Sequence, residues 1–275
     1  MKRLHIIWMI YLMSLPIHGQ DVFRSFASAG TLGLSVLPVT AEAGSFLPGC
    51  AAALTRINSP GLLLSTTWPY TLADVIQAHA SLVLPGHNNN YFGVQMAGQG
   101  DASLSEFLFS GAYAKKITDR WAAGLRAGVR NTSITNWASV WNVSIEASGL
   151  YQISDPFQLA YRAHYYTEAI TREKVTSQID QQLGLQFNPT PQLGMGVDII
   201  QSTYDGWHYY IHLVYRIQEH FGLRMGHGFA PYQFGAGVDL MLWNGWTIQV
   251  ATRYHPILRW SPGINLQIPL KFNRS

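Results

Sequence analysis

His79-Ala80-Ser81 sets an imidazole and a hydroxyl two residues apart. On a strand that spacing puts both on one face, as a nucleophile and its base require. Hydrolysis would also need an acid to orient the ring and donors for an oxyanion. Ile76, Ala78, Ala80 and Leu82 make the apolar face of the same stretch. His79 and Ser81 are thereby turned to the opposite, inner side, whereas a lipid-modifying enzyme would present them to the membrane. His208 and His212 share a face only at alternate strand positions, too far apart to hold one ion without other ligands. The runs Gly194-Met195-Gly196 and Gly235-Ala236-Gly237 lack the strand-to-helix setting of a phosphate loop and read as packing of small residues. The expectation is a non-enzymatic protein with no cofactor and no metal.

A second group of polar residues is larger. Arg126, Arg130, Glu146, Arg162, Asp180, Asp198, Arg216, Arg224, Asp239, Arg253 and Lys271 all fall on the polar side of alternating stretches. Mixed signs on one surface predict ion pairs. Arg126 and Arg130 need acidic partners, and Glu146 on the next stretch is the first candidate.

Those stretches are the elements that must position the polar groups. In Trp121–Arg130 the odd positions Trp121, Ala123, Leu125, Ala127 and Val129 are apolar, and the even ones are small or charged. Period-two alternation is the mark of a strand with two unlike faces. After residue 60 it repeats in units of about ten residues bounded by turn residues. Fourteen strands are predicted, at 60–68, 74–84, 90–98, 105–117, 120–131, 139–153, 156–168, 176–188, 191–202, 205–217, 219–227, 231–242, 245–255 and 260–272. One set of connections is very short, as at Ser154-Asp155-Pro156 and Asn244-Gly245. The other, about 132–138, 168–176, 203–206 and 255–261, is longer. Trp121, Phe157, Phe187, Phe221 and Trp246 lie beside the short turns; Tyr165, Trp207, Tyr254 and Trp260 lie near the longer loops. Two aromatic girdles are expected where a barrel meets the two lipid interfaces.

Composition agrees. Of 275 residues, 48% are hydrophobic, 13% aromatic and only 12% charged, against about 25% charged in soluble domains. A formal charge of +3 scattered along the chain excludes a nucleic-acid partner. Lys2 and Arg3 precede an apolar run from Ile6 to Leu15 that is too short to span a bilayer, which reads as an export signal. The expected organisation is a signal peptide over 1–20, an irregular plug or periplasmic segment over 21–58 with a short helix near Cys50–Arg56, and a barrel over 59–275. Cys50 is the sole cysteine. Leu47-Pro48-Gly49-Cys50 resembles a lipid-attachment box but lies far beyond the signal, so a buried thiol is the better reading. The fold class is all-β, a transmembrane antiparallel up-and-down barrel of about fourteen strands. It is expected in the cell outer membrane, among outer-membrane lipid and lipopolysaccharide, with both termini periplasmic.

Ala51-Ala52-Ala53 leading to Asn58-Ser59-Pro60-Gly61-Leu62, and Tyr113–Trp121 followed by Gly124, resemble the opening and the mid-barrel hairpin of FadL-like outer-membrane barrels of the PorV type. The resemblance implies an accessory subunit of a larger outer-membrane protein complex, of the kind found in type IX secretion of Bacteroidota. The alternative it implies is a FadL-like channel that passes hydrophobic small molecules through a lateral opening.

Overall fold

The structure, a computed structural model, describes residues 28–35, 38, 49–72, 75–101, 103–136, 139–169, 175–203, 206–229 and 232–270. The first 27 residues, which carry the expected signal, and Lys271 lie outside the described residues. Fourteen strands form one closed antiparallel barrel. They are β1 (Gly61–Thr67), β2 (Ile76–Pro85), β3 (Asn90–Gly100), β4 (Leu104–Lys116), β5 (Trp121–Ile134), β6 (Val140–Ser154), β7 (Phe157–Ala169), β8 (Val175–Thr190), β9 (Leu193–Ser202), β10 (Gly206–Gln218), β11 (Phe221–Phe229), β12 (Tyr232–Met241), β13 (Thr247–His255) and β14 (Arg259–Pro269). Each strand pairs with its sequence neighbours, and β14 returns to β1 from Gly61 opposite Pro269 to Thr67 opposite Gly263. All fourteen predicted strands are present, with ends shifted by a few residues; β8, for example, extends past its expected end at 188 to Thr190.

Closure follows from the two-faced strands. On β5, Trp121, Leu125 and Val129 are exposed while Ala122 is buried, and Arg126 lies on the inner side. On β6, Trp141, Val143 and Ile145 are exposed and Glu146 is 2% exposed. A sheet with apolar residues outside and polar ones inside is stable only where the outside is hydrocarbon and no edge is left unpaired. Among the described residues no helix is long and apolar enough to cross a membrane, and the crossing is made by strands.

The turns are chemically apt. Asn88 and Asn89, at φ 56° and 63°, turn β2 into β3, and asparagine tolerates this left-handed region. Gly245 at φ 81° plays the same part between β12 and β13. Between β3 and β4 the Asp101 carboxylate accepts the N–H groups of Leu104 and Ser103 at 2.8 and 2.7 Å, which hold its carboxyl below the usual range. The expected contrast between rims is weaker than the sequence suggests. Connections 155–156, 191–192 and 219–220 at one rim are short, yet 242–246 on that rim is as long as 135–139 on the other. β3, β5 and β8 are longer than the alternation predicts, whereas β1, β2, β9, β12, β13 and β14 are shorter.

Aromatic residues stand at both strand ends. Trp121 stacks on Tyr151 (ring centroids 4.4 Å apart) and Phe157 on Phe187 (4.6 Å) at the rim that also carries both ends of the barrel. Phe221 and Trp246 begin or precede strands there, at β11 and β13. Tyr165, Trp207, Tyr254 and Trp260 lie toward the other rim, the last two with ring centroids 4.9 Å apart.

Inside the barrel run two described pieces of the N-terminal segment. Helix α1 (Ala29–Leu32) packs against β12, β13 and β14, and a 3₁₀ helix (Ala51–Arg56) packs against β3, β4, β5 and β6. The second is the short helix expected near Cys50; the first has no periodicity long enough to be read from sequence.

A charge on the outer surface tests this embedding. Leu125→Arg, mid-strand and 58% exposed, is expected to destabilise the barrel in lipid vesicles by about 2–4 kcal/mol in urea unfolding, whereas Trp121→Arg at the rim is expected to cost about 0–1 kcal/mol from charge burial. Equal costs at the two depths would contradict the assignment.

Candidate functional site

The lumen is polar because every second residue of each strand points into it, but amides outnumber charges there. Gln77, Gln99, Gln158, Gln178, Gln182, Gln186, Gln233, Gln249 and Gln267 are all buried. Near the rim opposite the barrel's ends, Thr67 of β1 donates to Gln77 of β2 at 2.9 Å, Gln77 donates to Gln99 of β3, and Gln99 donates to Glu106 of β4. Thr132 of β5 closes this chain onto the other Glu106 oxygen at 3.1 Å. On the far side of the seam Gln249 accepts from Asn265 and Gln267 at 2.9 and 3.1 Å. Sequence reasoning missed this layer because it looked for charge; glutamine at alternate positions was the available signal.

The charged residues sort into separate groups. Arg126 Nη1 lies 3.2 Å from Glu146. Arg224 grips Asp239 through Nε and Nη2, at 2.7 Å each, the bidentate geometry that makes arginine–carboxylate pairs strong. Asp198, fully buried, accepts from Gln182 at 2.8 Å and lies 3.4 Å from His212 Nδ1. His212 Nε2 is 3.3 Å from Gln186 Oε1. His208 and His212 are both inward, and among the described residues no group of three metal-ligating side chains exists. Arg130 and Arg253 are half-buried, Asp180 stands opposite His164, and Arg216 is exposed at a register shift near the rim. The pairs are spread around the barrel, over β5 and β6 for Arg126–Glu146, β9 and β10 for Asp198–His212, and β11 and β12 for Arg224–Asp239.

One pair reaches beyond the wall. Glu146 Oε1 accepts the Ala51 N–H at 2.6 Å, Ser148 Oγ accepts the Ala52 N–H at 3.0 Å, and Arg162 donates to the Gly49 carbonyl at 2.8 Å. The same side chains that line β6 and β7 therefore hold the first turn of the 3₁₀ helix. Cys50 is 0% exposed, packed with Ala52, Ala53, Ala122, Leu150 and Ala160. Its thiol is a buried packing group, away from any lipid.

Glycines make room for this segment. A Cβ at Gly124 would collide with the backbone of Ala51 and Ala52, and one at Gly226 with the carbonyl of Leu34. At Gly235 it would meet the Leu32 carbonyl and Ser35. Ser35 Oγ donates to the Gly226 carbonyl at 3.2 Å. The Gly235-Ala236-Gly237 run is thus part of a seat for residues 32–35. Gly196 is where the His212 ring lies, and at Gly194 a Cβ would press on Gln186 and Asn188. Lumen-facing glycines on β5, β11 and β12 were the sequence signal for the interior segment.

The outer face of the wall is hollowed near the seam. A cavity of about 640 Å³ is lined by triplets from four neighbouring strands: Leu64-Ser65-Thr66, Ala78-His79-Ala80, Met96-Ala97-Gly98 and Ile264-Asn265-Leu266, with Phe107 and Ile248 beside them. The outer members of each triplet are on the membrane side and the middle member is inward. The cavity is therefore a depression in the outer surface, floored by backbone where Thr66, Ala78, Ala80 and Gly98 are small, and walled by Leu64, Met96, Phe107 and Ile264. His79 and Ser81 are both inward and buried. No acid stands opposite His79: its register partners are Ser65 and Ala97. The arrangement lacks the orienting group that hydrolysis needs.

Fold and lumen together define an integral β-barrel of the outer-membrane type with an interior segment. No family model and no curated protein matches the sequence. Solved structures do match the fold. The Ralstonia pickettii toluene transporter TbuX superposes with a TM-score of 0.63 at 10% identity, over 90% of this chain and 100% of that one. The Pseudomonas putida toluene transporter TodX gives 0.61 at 9%, over 88% and 96%, and a Pseudomonas aeruginosa FadL homologue 0.57 at 10%, over 88% and 97%. The barrel is FadL-like in fold. This corrects the expectation of a PorV-type accessory subunit of a secretion complex: the barrels it matches include TbuX and TodX, described as toluene transporters. The motifs behind that expectation report geometry alone. Asn58–Leu62 leads into β1, and Tyr113–Trp121 is the β4–β5 hairpin, where Thr118 Oγ1 accepts the N–H of Trp121 at 3.0 Å.

Glu146 is the residue to change. Glu146→Ala strands Arg126 and the Ala51 N–H, and is expected to destabilise the barrel by roughly 3 kcal/mol. It should also release Cys50 to maleimide under native conditions, whereas the unaltered protein is labelled only after denaturation. Rapid labelling of the unaltered native protein would show that the segment is not held.

Proposed function

We propose that the protein is an outer-membrane channel for small apolar molecules, which leave or enter the lumen through the wall beside the β1–β14 seam. The observation that carries this reading is the apolar depression of about 640 Å³ across β14, β1, β2, β3 and β4. There the small outer residues bring the membrane within one sheet thickness of the lumen. Support comes from the fold shared with the toluene transporters TbuX and TodX. A fourteen-stranded barrel has room inside beyond that filled by side chains, and the N-terminal segment occupies part of it.

In this reading residues 21–58 act as a plug, the lumenal ion pairs hold it, and the aromatic girdles set the depth of the barrel in the bilayer. Both ends of the barrel lie at one rim because the strand number is even, and that rim faces the periplasm. The rate-limiting barrier for an apolar solute in such a membrane is its polar outer leaflet, and a route that opens sideways avoids passage through a water-filled lumen.

Reconstitution into vesicles with a lipopolysaccharide outer leaflet tests the proposal. Toluene uptake is expected to exceed that of protein-free vesicles several-fold. Ala80→Phe, which fills the depression without touching the lumen, is expected to remove most of the excess. Equal uptake with and without protein would overturn the channel reading; full uptake by Ala80→Phe would move the route away from the seam.

A further inference from the structure

Behind the depression stand two polar side chains that the lumen network leaves unserved. Ser65 of β1 and His79 of β2 are direct register partners, 5% and 6% exposed. Ser65 Oγ and both ring nitrogens of His79 make no hydrogen bond. Their neighbours are otherwise engaged or apolar. Asn265, opposite Ser65 on the other side, donates to Gln249 at 2.9 Å. Ala97, opposite His79, has nothing to offer, and Leu63 precedes Ser65 on the same face. Two residues toward the rim, the same two strands carry Thr67 and Gln77, which are joined at 2.9 Å.

A neutral imidazole carries one N–H donor and one acceptor nitrogen, and a serine hydroxyl can do both. Each such atom left buried and unpaired costs about 1–3 kcal/mol, and native interiors rarely leave three together. One group serves two of these three atoms at once, one ring nitrogen of His79 and Ser65 Oγ. A hydroxyl accepts the imidazole N–H through its oxygen and donates its own proton to Ser65 Oγ. The surroundings set the rest of the ligand. Ala97 and Leu63 offer apolar contact, and the charge that acts on His79 is the Arg126 guanidinium, which disfavours a cationic ligand.

We infer that Ser65 and His79 are a specificity-determining pair that docks the hydroxyl of a small apolar alcohol or phenol at the inner side of the seam wall. This deepens the channel reading, and rests on it, by setting the substrate class: apolar molecules bearing one hydroxyl are preferred to the bare hydrocarbon. His79 and Ser65 act here as hydrogen-bonding groups, with no bond made or broken.

The test compares p-cresol with toluene, which differ by that hydroxyl. Each is measured as retention by the full chain in detergent micelles, with protein-free micelles subtracted. The unaltered protein is expected to retain p-cresol about five- to tenfold better than toluene, the worth of one net hydrogen bond. His79→Leu and Ser65→Ala are each expected to bring p-cresol down to the level of toluene while toluene retention stays unchanged. His79→Asn, which keeps a donor and an acceptor, is expected to restore part of the preference. Heat-dependent gel mobility confirms that each variant is a folded barrel. Toluene and p-cresol bound equally by the unaltered protein would overturn this inference and leave the channel standing, with water alone serving the pair. Neither probe retained above the micelle baseline would overturn the channel reading and this inference with it. A preference that survives His79→Leu would place the docking group elsewhere and also overturn it.

Discussion

Everything in this molecule depends on the closure of β1 onto β14. In hydrocarbon there is no water to serve an unpaired N–H or C=O, so a sheet can persist only if it has no edge. Gly61 through Thr67 meet Pro269 through Gly263 residue by residue. That ladder turns thirteen hairpin contacts into a ring, and the ring divides the side chains into an outer apolar set and an inner polar set. Seal the seam and the lumen becomes a protected interior in which buried amides and ion pairs can be satisfied; leave it open and the same residues are an aggregating sheet.

Near the seam the wall is also lightly padded. On β4 the outer face carries Phe107, Phe109 and Tyr113. Across β1–β3 it drops to Thr66, Ala78, Ala80 and Gly98. The inner side of the same patch holds the His79–Ser65 pair, whereas the opposite arc holds the firm contacts, Arg126 with Glu146 and Arg224 with Asp239. The interior segment spans this division. The 3₁₀ helix sits on β2–β6 and α1 on β12–β14 and β1, so both pieces reach strands of this patch from the inner side.

Much of this was legible in the chain. The alternation of Trp121–Arg130 or Trp141–Ala147 has no reading other than a two-faced strand, and fourteen repeats of it set the strand number. The inward direction of His79 followed from its neighbours Ile76, Ala78 and Ala80. What stayed illegible depends on contacts between residues remote in sequence. Nothing local to Gly226 says that it faces Leu34, and nothing local to Glu146 says that one of its oxygens is spent on Ala51. The amide layer escaped because a glutamine announces no chemistry until its partner is known, as Gln77 shows between Thr67 and Gln99. The likeness in fold to the toluene transporters rests on the barrel's whole shape, which the short motifs around Asn58–Leu62 and Tyr113–Trp121 do not encode.

The rim that carries both ends of the barrel is finished, at three of its turns, with very little chain. The connections that join β6 to β7, β8 to β9 and β10 to β11 are two residues each by the strand bounds. A strand of ten to thirteen residues, at about 3.3 Å per residue and a tilt near 40°, spans roughly 25–33 Å. That is the thickness of the hydrocarbon layer with almost nothing to spare. The barrel is consequently level with the lipid headgroups at these turns instead of standing above them. At these three turns the barrel ends where the membrane ends, so little of it stands clear of the lipid there for a soluble partner to grasp.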